Sequence, residues 1–420
     1  MNILIVSQYF WPEEFRINDL ALGLRERGHQ ITVLTGIPNY PKGKFYSGYG
    51  WFSRNSENYN GIQIVRAPLI SRGNGGALRL ALNYLSFAVT ASLLIPFISR
   101  KKYDVIFVCQ LSPVTVGLPA VFLGWLRSIP VILWVQDLWP ESLSATDAVH
   151  SPCLLWGVEQ MVRFIYRGCD KILVQSRAFC SSIERRGIAA QDILYFPNTA
   201  EDVYTPVEVE PSAPERAILP KGFKVVFAGN IGAAQDFPTI LDAAEHLKER
   251  TDIHWVIVGD GRLRNSVESE IRKRGLQKTV LLLGRKPVEA MPRLFALADV
   301  LLVTLRRDPI FALTLPSKVQ SYLACGRPII AAIDGEGGRV INEAGSGLTC
   351  PAGDSAALAA AVTQVKAMPL DQREEMGKRG RNYFERHFQR ELLLNRLEGW
   401  FQDWVGQPHR FVPERADQKV

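Results

Sequence analysis

The chain carries one lysine whose position suits binding of a phosphate. Lys318 stands in the first turn of a short predicted helix that Gly326 is placed to end. A helix start presents free N–H groups and a partial positive charge, so a cation there is unfavourable unless an anion compensates it. A diphosphate would supply that anion and would be stabilised as a leaving group. We predict Lys318 to be catalytic. Its predicted donor-binding neighbours are Thr314, Leu315, Pro316 and Ser317.

Three turns that contain glycine or basic residues follow predicted strands in the second half of the chain, at residues 228–232, 258–262 and 284–286. Such turns can direct backbone N–H groups at an anion. One turn alone is weak evidence, but two in one domain plus a basic third favour a nucleotide ligand. The predicted donor-binding residues of these turns are Asn230, Gly232, Gly259, Asp260, Gly261, Arg262, Arg285 and Lys286.

Two carboxylates follow a predicted strand in the first half of the chain. Asp137 and Glu141 lie just after the run Val131–Val135. A carboxylate at that place could orient an acceptor hydroxyl or accept its proton, so we predict both as catalytic. The alternative for Asp137 is that it caps a turn.

The first strand-to-helix turn lacks the fingerprint of a dinucleotide site. It has no glycine between Val6 and Gly23, which argues against a nicotinamide cofactor. It offers Glu13, Glu14 and Arg16, which we predict on the acceptor side; alternatively, the two acids complement the helix dipole. No Asp-x-Asp pair, Cys-x-x-Cys pair or histidine cluster occurs, so we predict no metal.

Strand-like runs alternate with helical patterns in two series, which predicts an α/β fold of two Rossmann-like, doubly wound domains facing across a cleft that holds the ligand. A proline-rich stretch at 197–220 separates them. We predict an N-terminal domain over 1–200, with a helix at 388–404 that can pack back on it, and a C-terminal domain over 201–387. The predicted strands are Asn2–Ser7, Ile31–Thr35, Val105–Cys109, Val131–Val135, Lys171–Gln175, Phe223–Asn230, Ile253–Gly259, Thr279–Gly284, Val300–Thr304, Pro328–Ile333 and Gly347–Cys350, and the last helical stretch is Gln372–Trp404.

Composition is consistent with an intracellular globular protein. The 420 residues are 47% hydrophobic, enough for two cores, and the net charge of +7 suits a basic surface, an anionic membrane or a phosphate-rich ligand. No motif of a nucleic-acid-binding module occurs. The six cysteines show no disulfide pattern, and the N-terminus is typical of a first strand rather than a signal peptide.

The segment Leu80–Ser99 has twenty residues and no charge, close to the length that spans a bilayer. A spanning helix would divide the first domain, so a buried core helix or a membrane-surface helix are the alternatives. The flanking Arg72 and Arg79, and the run Arg100–Lys102, favour the surface helix. We expect a peripheral membrane protein.

The chain resembles glycosyltransferase family 4, of the GT-B fold, over about residues 1–400. Within that family it is similar to the colanic-acid and O-antigen branch that includes WbuB-type fucosamine transferases. The combination and order of its motifs carry the resemblance: Arg27–Thr35, Val135–Glu141, Phe196–Asn198, Ala228–Gly232, Val258–Gly261 and Leu315–Pro328.

The resemblance implies a retaining, metal-independent hexosyltransferase with no cofactor. It also implies a UDP-linked donor, best matched by N-acetyl-L-fucosamine, and an acceptor on polyprenyl diphosphate. Such an enzyme would act in surface polysaccharide synthesis, at the inner face of the cytoplasmic membrane. An epimerase of the same fold and a non-catalytic sugar-binding component of polysaccharide assembly are the alternatives.

The chain departs from the family pattern at two places. The two glutamates that most members carry, eight positions apart, fall here on Leu313 and Ser321. The usual Arg and Lys of the first C-terminal-domain turn are also missing between Ala228 and Asp236. Other cations must therefore serve the donor, and Lys318 and Arg262 are among those available.

Overall fold

The computed structural model describes residues 1–145, 151–406 and 409 and divides into two compact units. Unit 1 comprises Met1–Pro197 and the chain from Leu394 onward, and unit 2 comprises Asn198–Leu393. The division falls three residues before the end we predicted for the first domain. The C-terminal segment of unit 1 begins at Leu394, within the predicted helix at 388–404.

Unit 1 is an eight-stranded sheet with helices, in the order β3-β4-β2-β1-β5-β6-β7-β8, parallel except for β3. Its elements are β1 (Asn2–Val6), α1 (Arg16–Glu26), β2 (Gln30–Gly36), β3 (Ser56–Tyr59), β4 (Ile62–Ala67), α2 (Ala77–Leu93), α3 (Ile95–Ile98), β5 (Val105–Gln110), α4 (Gly117–Arg127), β6 (Val131–Val135), α5 (Glu141–Ala145), α6 (Pro152–Arg167), β7 (Lys171–Val174), α7 (Cys180–Glu184) and β8 (Ile193–Tyr195).

Unit 2 is a six-stranded parallel sheet in the order β11-β10-β9-β12-β13-β14. Its elements are α8 (Pro214–Ile218), β9 (Phe223–Ala228), α9 (Phe237–His246), β10 (Ile253–Val258), α10 (Arg264–Lys273), β11 (Val280–Gly284), α11 (Met291–Ala296), β12 (Val300–Thr304), α12 (Pro309–Leu313), α13 (Ser317–Ala324), β13 (Ile329–Ala332), α14 (Glu336–Ala344), β14 (Gly347–Cys350), α15 (Ser355–Ala367) and α16 (Leu370–His387); α17 (Arg390–Trp404) continues into unit 1.

The sheet of unit 2 is buried on both faces, which explains its apolar strands. Along β9, Val226 and Ala228 belong to one core cluster, whereas Val225 and Phe227 belong to the other. The winding direction reverses between β9 and β12, and loops beyond the carboxyl ends of such strands form the usual ligand site of a doubly wound sheet.

All predicted strands are present within one or two residues of their predicted ends, but the sequence analysis missed others. β3, β4 and β8 are short or partly exposed and lack a long apolar run. The predicted helix Gln372–Trp404 is wrong as one element, because α16 ends at His387 and α17 begins at Arg390. The predicted linker also contains α8.

The part of α17 from Leu394 onward packs on the rest of unit 1 through aromatic and charged contacts. The ring of Phe401 lies 5.7 Å from that of Phe107, and Trp400 lies 6.0 Å from Phe196. Glu398 binds Arg27 at 3.0 Å. These contacts attach α17 to the sheet of unit 1.

The segment Leu80–Ser99 does not form one helix. α2 ends at Leu93 and the short α3 follows. Phe87 and Ala91 are buried, whereas Leu85 and Val89 are exposed. In the part of the chain that the structure describes, no helix is long and apolar enough to cross a membrane.

Candidate functional site

The amino group of Lys318 lies close to the carboxyl end of β9. Its Nζ lies 3.8 Å from the centroid of the Phe227 ring and donates a hydrogen bond to the side-chain oxygen of Gln235. Burial lowers the pKa of Lys318 to about 7. Gln235 belongs to the turn where the family's usual basic residues are missing, so a neutral side chain holds the lysine there.

α13 is fixed in place by a tyrosine one turn after the lysine. The amide of Ala228 donates to the hydroxyl of Tyr322 at 3.0 Å, and this ring is fully buried. Among the residues that the structure describes, no side chain caps the start of α13, where Ser317 is exposed. The helix therefore presents its first N–H groups and Lys318 beside the β9 loop, as predicted.

The other residues predicted around this helix start differ in exposure. Leu315 is buried in the core and cannot offer a side chain to a ligand. The hydroxyl of Thr314 donates to the carbonyl of Ile310 at 3.0 Å. Pro316 precedes the helix in an extended conformation. Only Lys318 and Ser317 therefore offer polar side-chain groups that are not committed to the loop backbone.

The glycine turns after β9 and β10 pack backbone against backbone. A Cβ at Gly259 would lie 1.8 Å from the carbonyl oxygen of Gly229, and one at Gly261 would lie 2.4 Å from that of Ile231. Both positions therefore require glycine for packing, independent of any ligand. Gly232 lies against Asn230 in the same turn, where an added Cβ would approach the amide nitrogen to 2.5 Å.

Four charged residues predicted for the donor lie on the turns after β10 and β11. Asp260 accepts a hydrogen bond from the amide of Gly261 at 2.8 Å, which makes it a turn residue. Arg262 and Arg285 are exposed and Lys286 is half-buried. Within residues 1–145, 151–406 and 409, no acidic side chain pairs with these three cations. They remain available to an anionic ligand.

Asp137 lies in the loop after β6, next to the end of β5. The side-chain amide of Gln110 donates to the backbone carbonyl oxygen of Asp137 at 2.7 Å. Burial raises the pKa of Asp137 to about 6, although interactions with Ser142 and Trp139 oppose the shift. A half-buried carboxylate with a pKa near neutrality can accept a proton from a hydroxyl.

Glu141 is held in a network of charges. Arg186, which is buried, binds Glu141 at 2.9 Å and Glu159 at 2.9 Å. Ser182 donates to the Glu141 carboxylate at 2.7 Å. The network joins α5, α6 and α7, and this arrangement favours a structural role for Glu141 over proton transfer.

Glu13 is buried and holds two loops together. Its carboxylate accepts hydrogen bonds from the amides of Tyr40 at 2.6 Å and Asn39 at 2.7 Å. Burial raises its pKa to about 7, and these two amides oppose the shift. Glu14 is exposed, and Arg16 begins α1. Glu13 therefore shapes the loop after β2.

The sequence analysis missed the aromatic and amide residues beside these sites. Arg72 donates to the hydroxyl of Tyr9 at 2.9 Å and lies over the Tyr40 ring, and the Phe15 ring stacks on Tyr9. No local signal marks these residues, because they come from three separate loops. Gln235 could have been found, since it follows a glycine turn. In the described ranges, no three His, Cys, Asp or Glu side chains come together as potential metal ligands.

Two family models match the chain. The Glycosyl transferase 4-like domain matches residues 14–199, and Glycosyl transferases group 1 matches residues 210–383. The chain is 24% identical to the colanic acid biosynthesis glycosyl transferase WcaI of Escherichia coli K12, over 78% of this chain and 82% of WcaI. It is 27% identical to the glycosyltransferase WbjE of Pseudomonas aeruginosa, over 65% of this chain and 68% of WbjE.

Solved structures agree on the fold. The complex of Anabaena HepE with UDP superposes with a TM-score of 0.67 at 13% identity, covering 96% of this chain and all of HepE. A glycosyltransferase from Rickettsia africae superposes with a TM-score of 0.70 at 14% identity, covering 97% and 98% of the two chains. The two family models, one matching each unit, show that this chain belongs to glycosyltransferase family 4, and the solved structures show the GT-B fold.

Proposed function

We propose that this glycosyltransferase moves a sugar from a UDP-linked donor to a saccharide carried on polyprenyl diphosphate, in the synthesis of a bacterial surface polysaccharide. Lys318 carries the proposal, because its position between the start of α13, Phe227 and Gln235 suits a diphosphate. N-acetyl-L-fucosamine is the donor sugar that best fits the resemblance. The name of WcaI supports a role in polysaccharide synthesis, and the HepE complex with UDP supports a UDP-linked donor.

In this proposal unit 2 binds the donor. Lys318 donates to the diphosphate and neutralises the charge that develops as the bond to the sugar breaks. Arg262, Arg285 and Lys286 add positive charge at the neighbouring loops. The reaction retains the anomeric configuration and uses no metal, since these cations would take the role that a metal serves in other transferases.

Unit 1 binds the acceptor in this proposal. Asp137 orients the acceptor hydroxyl and accepts its proton, which its raised pKa suits. The protein acts at the inner face of the cytoplasmic membrane, where its nucleotide-linked donor is available. The basic run Arg100–Lys102 and exposed apolar residues of α2 support contact with that surface.

Incubation of the purified protein with UDP-sugars and a polyprenyl-diphosphate saccharide tests the proposal, with a chelator present. We expect UDP release and an acceptor whose mass increases by one sugar, with both lost in Lys318→Ala. Isomerised nucleotide sugar in the absence of acceptor would indicate an epimerase instead. Failure to release UDP from any donor, with the protein folded, would contradict transfer.

A further inference from the structure

Unit 1 exposes an unusual concentration of large apolar side chains on neighbouring helices. Twelve of the eighteen exposed large apolar residues in the described chain belong to α2, α3, α4 and α6. They are Leu78, Leu82, Leu85, Val89, Leu93, Phe97, Phe122, Trp125, Leu126, Leu154, Trp156 and Phe164. On α2 they recur every three or four residues, so they form a stripe on the solvent side. We call these twelve residues the apolar face.

The charge along α2, α3 and α4 is almost all positive, and Glu159 on α6 is paired with Arg163 and Arg186. Between Glu57 and Asp137 the only acidic residue is Asp104, whereas seven basic residues occur in that interval. Among them, Arg79, Arg100 and Arg127 are exposed at the ends of α2, α3 and α4. An apolar surface with a basic margin complements a leaflet of anionic lipid, because the apolar residues enter the acyl region and the cations meet the headgroups.

A cavity of about 590 Å³ opens within the apolar face, between α2, α4 and α6. This volume lies in the range of roughly 300–1,000 Å³ that ligand pockets occupy. Its walls are Leu118, Val121, Phe122, Trp125 and Phe164, with Ser92 as the one polar residue. The Ser92 hydroxyl donates to the Ala88 carbonyl of its own helix at 2.7 Å. The cavity therefore suits a hydrocarbon rather than a sugar or a nucleotide.

Elements that line the cavity also contact the loop that carries Asp137. Leu118 is the second residue of α4, which starts shortly after Gln110, and the side-chain amide of Gln110 donates to the backbone carbonyl of Asp137. The Tyr84 ring of α2 lies 6.0 Å from the Trp139 ring in the Asp137 loop. From Leu118 to Trp125 the helix rises about 10 Å. A lipid whose saccharide lies at Asp137 can thus place its chain along α4.

We infer that this cavity binds the hydrocarbon chain of the lipid that carries the acceptor saccharide. The inference rests on the proposed function. α4 packs closely against the residue that follows α6: a Cβ at Gly168 would lie 2.5 Å from a methyl group of Val121, one of the residues that line the cavity. The chain in the cavity would hold the acceptor in register with Asp137.

Two substitutions of matched size test the inference. Ser92→Trp fills the cavity, whereas Val89→Trp adds the same ring to the apolar face of the same helix outside the cavity lining. The first probe is cis-parinaric acid, titrated by fluorescence without vesicles. We expect binding about tenfold weaker for Ser92→Trp than for Val89→Trp. Equal binding by both variants would overturn the inference, as would a wild-type dimer that excludes the probe.

The second measurement uses two acceptors with the same phosphorylated saccharide on a long polyprenyl or a short alkyl chain. We expect the ratio of kcat/KM for long over short acceptor to fall about tenfold in Ser92→Trp and to be kept in Val89→Trp. An unchanged ratio in Ser92→Trp contradicts the inference. If no acceptor is glycosylated, the proposed function fails, whereas the parinaric acid titration still decides the cavity.

Discussion

The amino group of Lys318 lies 3.8 Å from the centroid of the Phe227 ring, so a side chain of α13 contacts the carboxyl end of strand β9. The ring offers a negative π face to a cation that has no carboxylate partner among the described residues. Burial disfavours the charged form of Lys318 while no ligand is bound. An arriving diphosphate would restore the charge, which links donor binding to protonation.

Replacing Lys318 by alanine should weaken UDP binding about tenfold to a hundredfold. The estimate follows from the roughly 1.5–3 kcal/mol of a hydrogen bond to a charged group. Isothermal titration of UDP checks it, with circular dichroism to show that the fold is kept. Lys278→Ala, at an exposed site on the same unit, is the control and should bind UDP as the wild type does. Equal affinity in both variants would remove Lys318 from the site.

The affinity for UDP should fall as pH rises above about 7. The pKa of Lys318 is lowered to about 7 without ligand, and a bound diphosphate favours the protonated form. Each pH unit above 7 should then cost up to about tenfold in affinity until the pKa of the bound state is passed. Titration of UDP between about pH 6.5 and 9 measures this slope. A wild-type slope as flat as that of Lys318→Ala would contradict it.

The stability of the unliganded protein should depend on pH in the opposite direction to the UDP affinity. The unfolded lysine has a pKa near 10.4, so between about pH 7 and 10 the unfolded chain binds more protons at this residue than the folded chain does. This residue alone therefore makes the folded state more stable as pH rises through that interval. Comparing unfolding midpoints of the wild type and Lys318→Met across the interval isolates its contribution.

Replacing Asp137 by asparagine should slow transfer by about 10²–10⁴, the usual effect of removing a positioned base. UDP affinity should stay near the wild-type value. In the wild type, kcat/KM should fall as pH drops through about 6, because the carboxylate is then protonated. Glu184→Gln, at an exposed site on α7, is the control. A large loss of donor affinity in Asp137→Asn would contradict the assignment of this residue to the acceptor side.

Replacing Arg186 by methionine should destabilise unit 1 by about 3 kcal/mol, near the lower end for a broken buried ion pair because both glutamates are partly exposed. Glu141 and Glu159 would then face each other without a cation. Denaturant unfolding measures the change, and the exposed neighbour substitution Arg185→Met is the control. If the midpoint holds but transfer is lost, Glu141 belongs to the chemistry after all.

Neutralising Arg100, Lys101 and Lys102 to glutamine should weaken binding to anionic vesicles by roughly a hundredfold. Each basic residue near such a surface contributes about 1 kcal/mol. Vesicle flotation measures the binding, and 1 M salt should release the wild type, since the screening length is then about 3 Å. The control replaces three exposed lysines of unit 2, Lys221, Lys278 and Lys378. Equal losses in both triple variants would contradict a specific footprint.

Local pattern predicted the long apolar strands and the start of α13. Buried parallel strands read as continuous apolar runs, and the residues from Pro316 to Gly326 mark a helix start and end within one short segment. The same local patterns did not predict β3, whose residues are exposed or half-buried, or β4, in which buried residues alternate with half-buried ones over much of the strand. It also joined α16 to α17, because the helical pattern continues across the break after His387.

The sequence by itself determined the family, the two parallel-sheet units and the position of Lys318 at the start of α13, because each depends on residue order within short segments. Only the tertiary structure decided what each charged side chain touches. It brought Arg186 to Glu141 over 45 residues of chain and Gln235 to Lys318 over 83. It also turned the apolar stripe of α2 outward beside α4 and α6. Such contacts depend on packing between elements distant in sequence, and no local pattern of residue types encodes them.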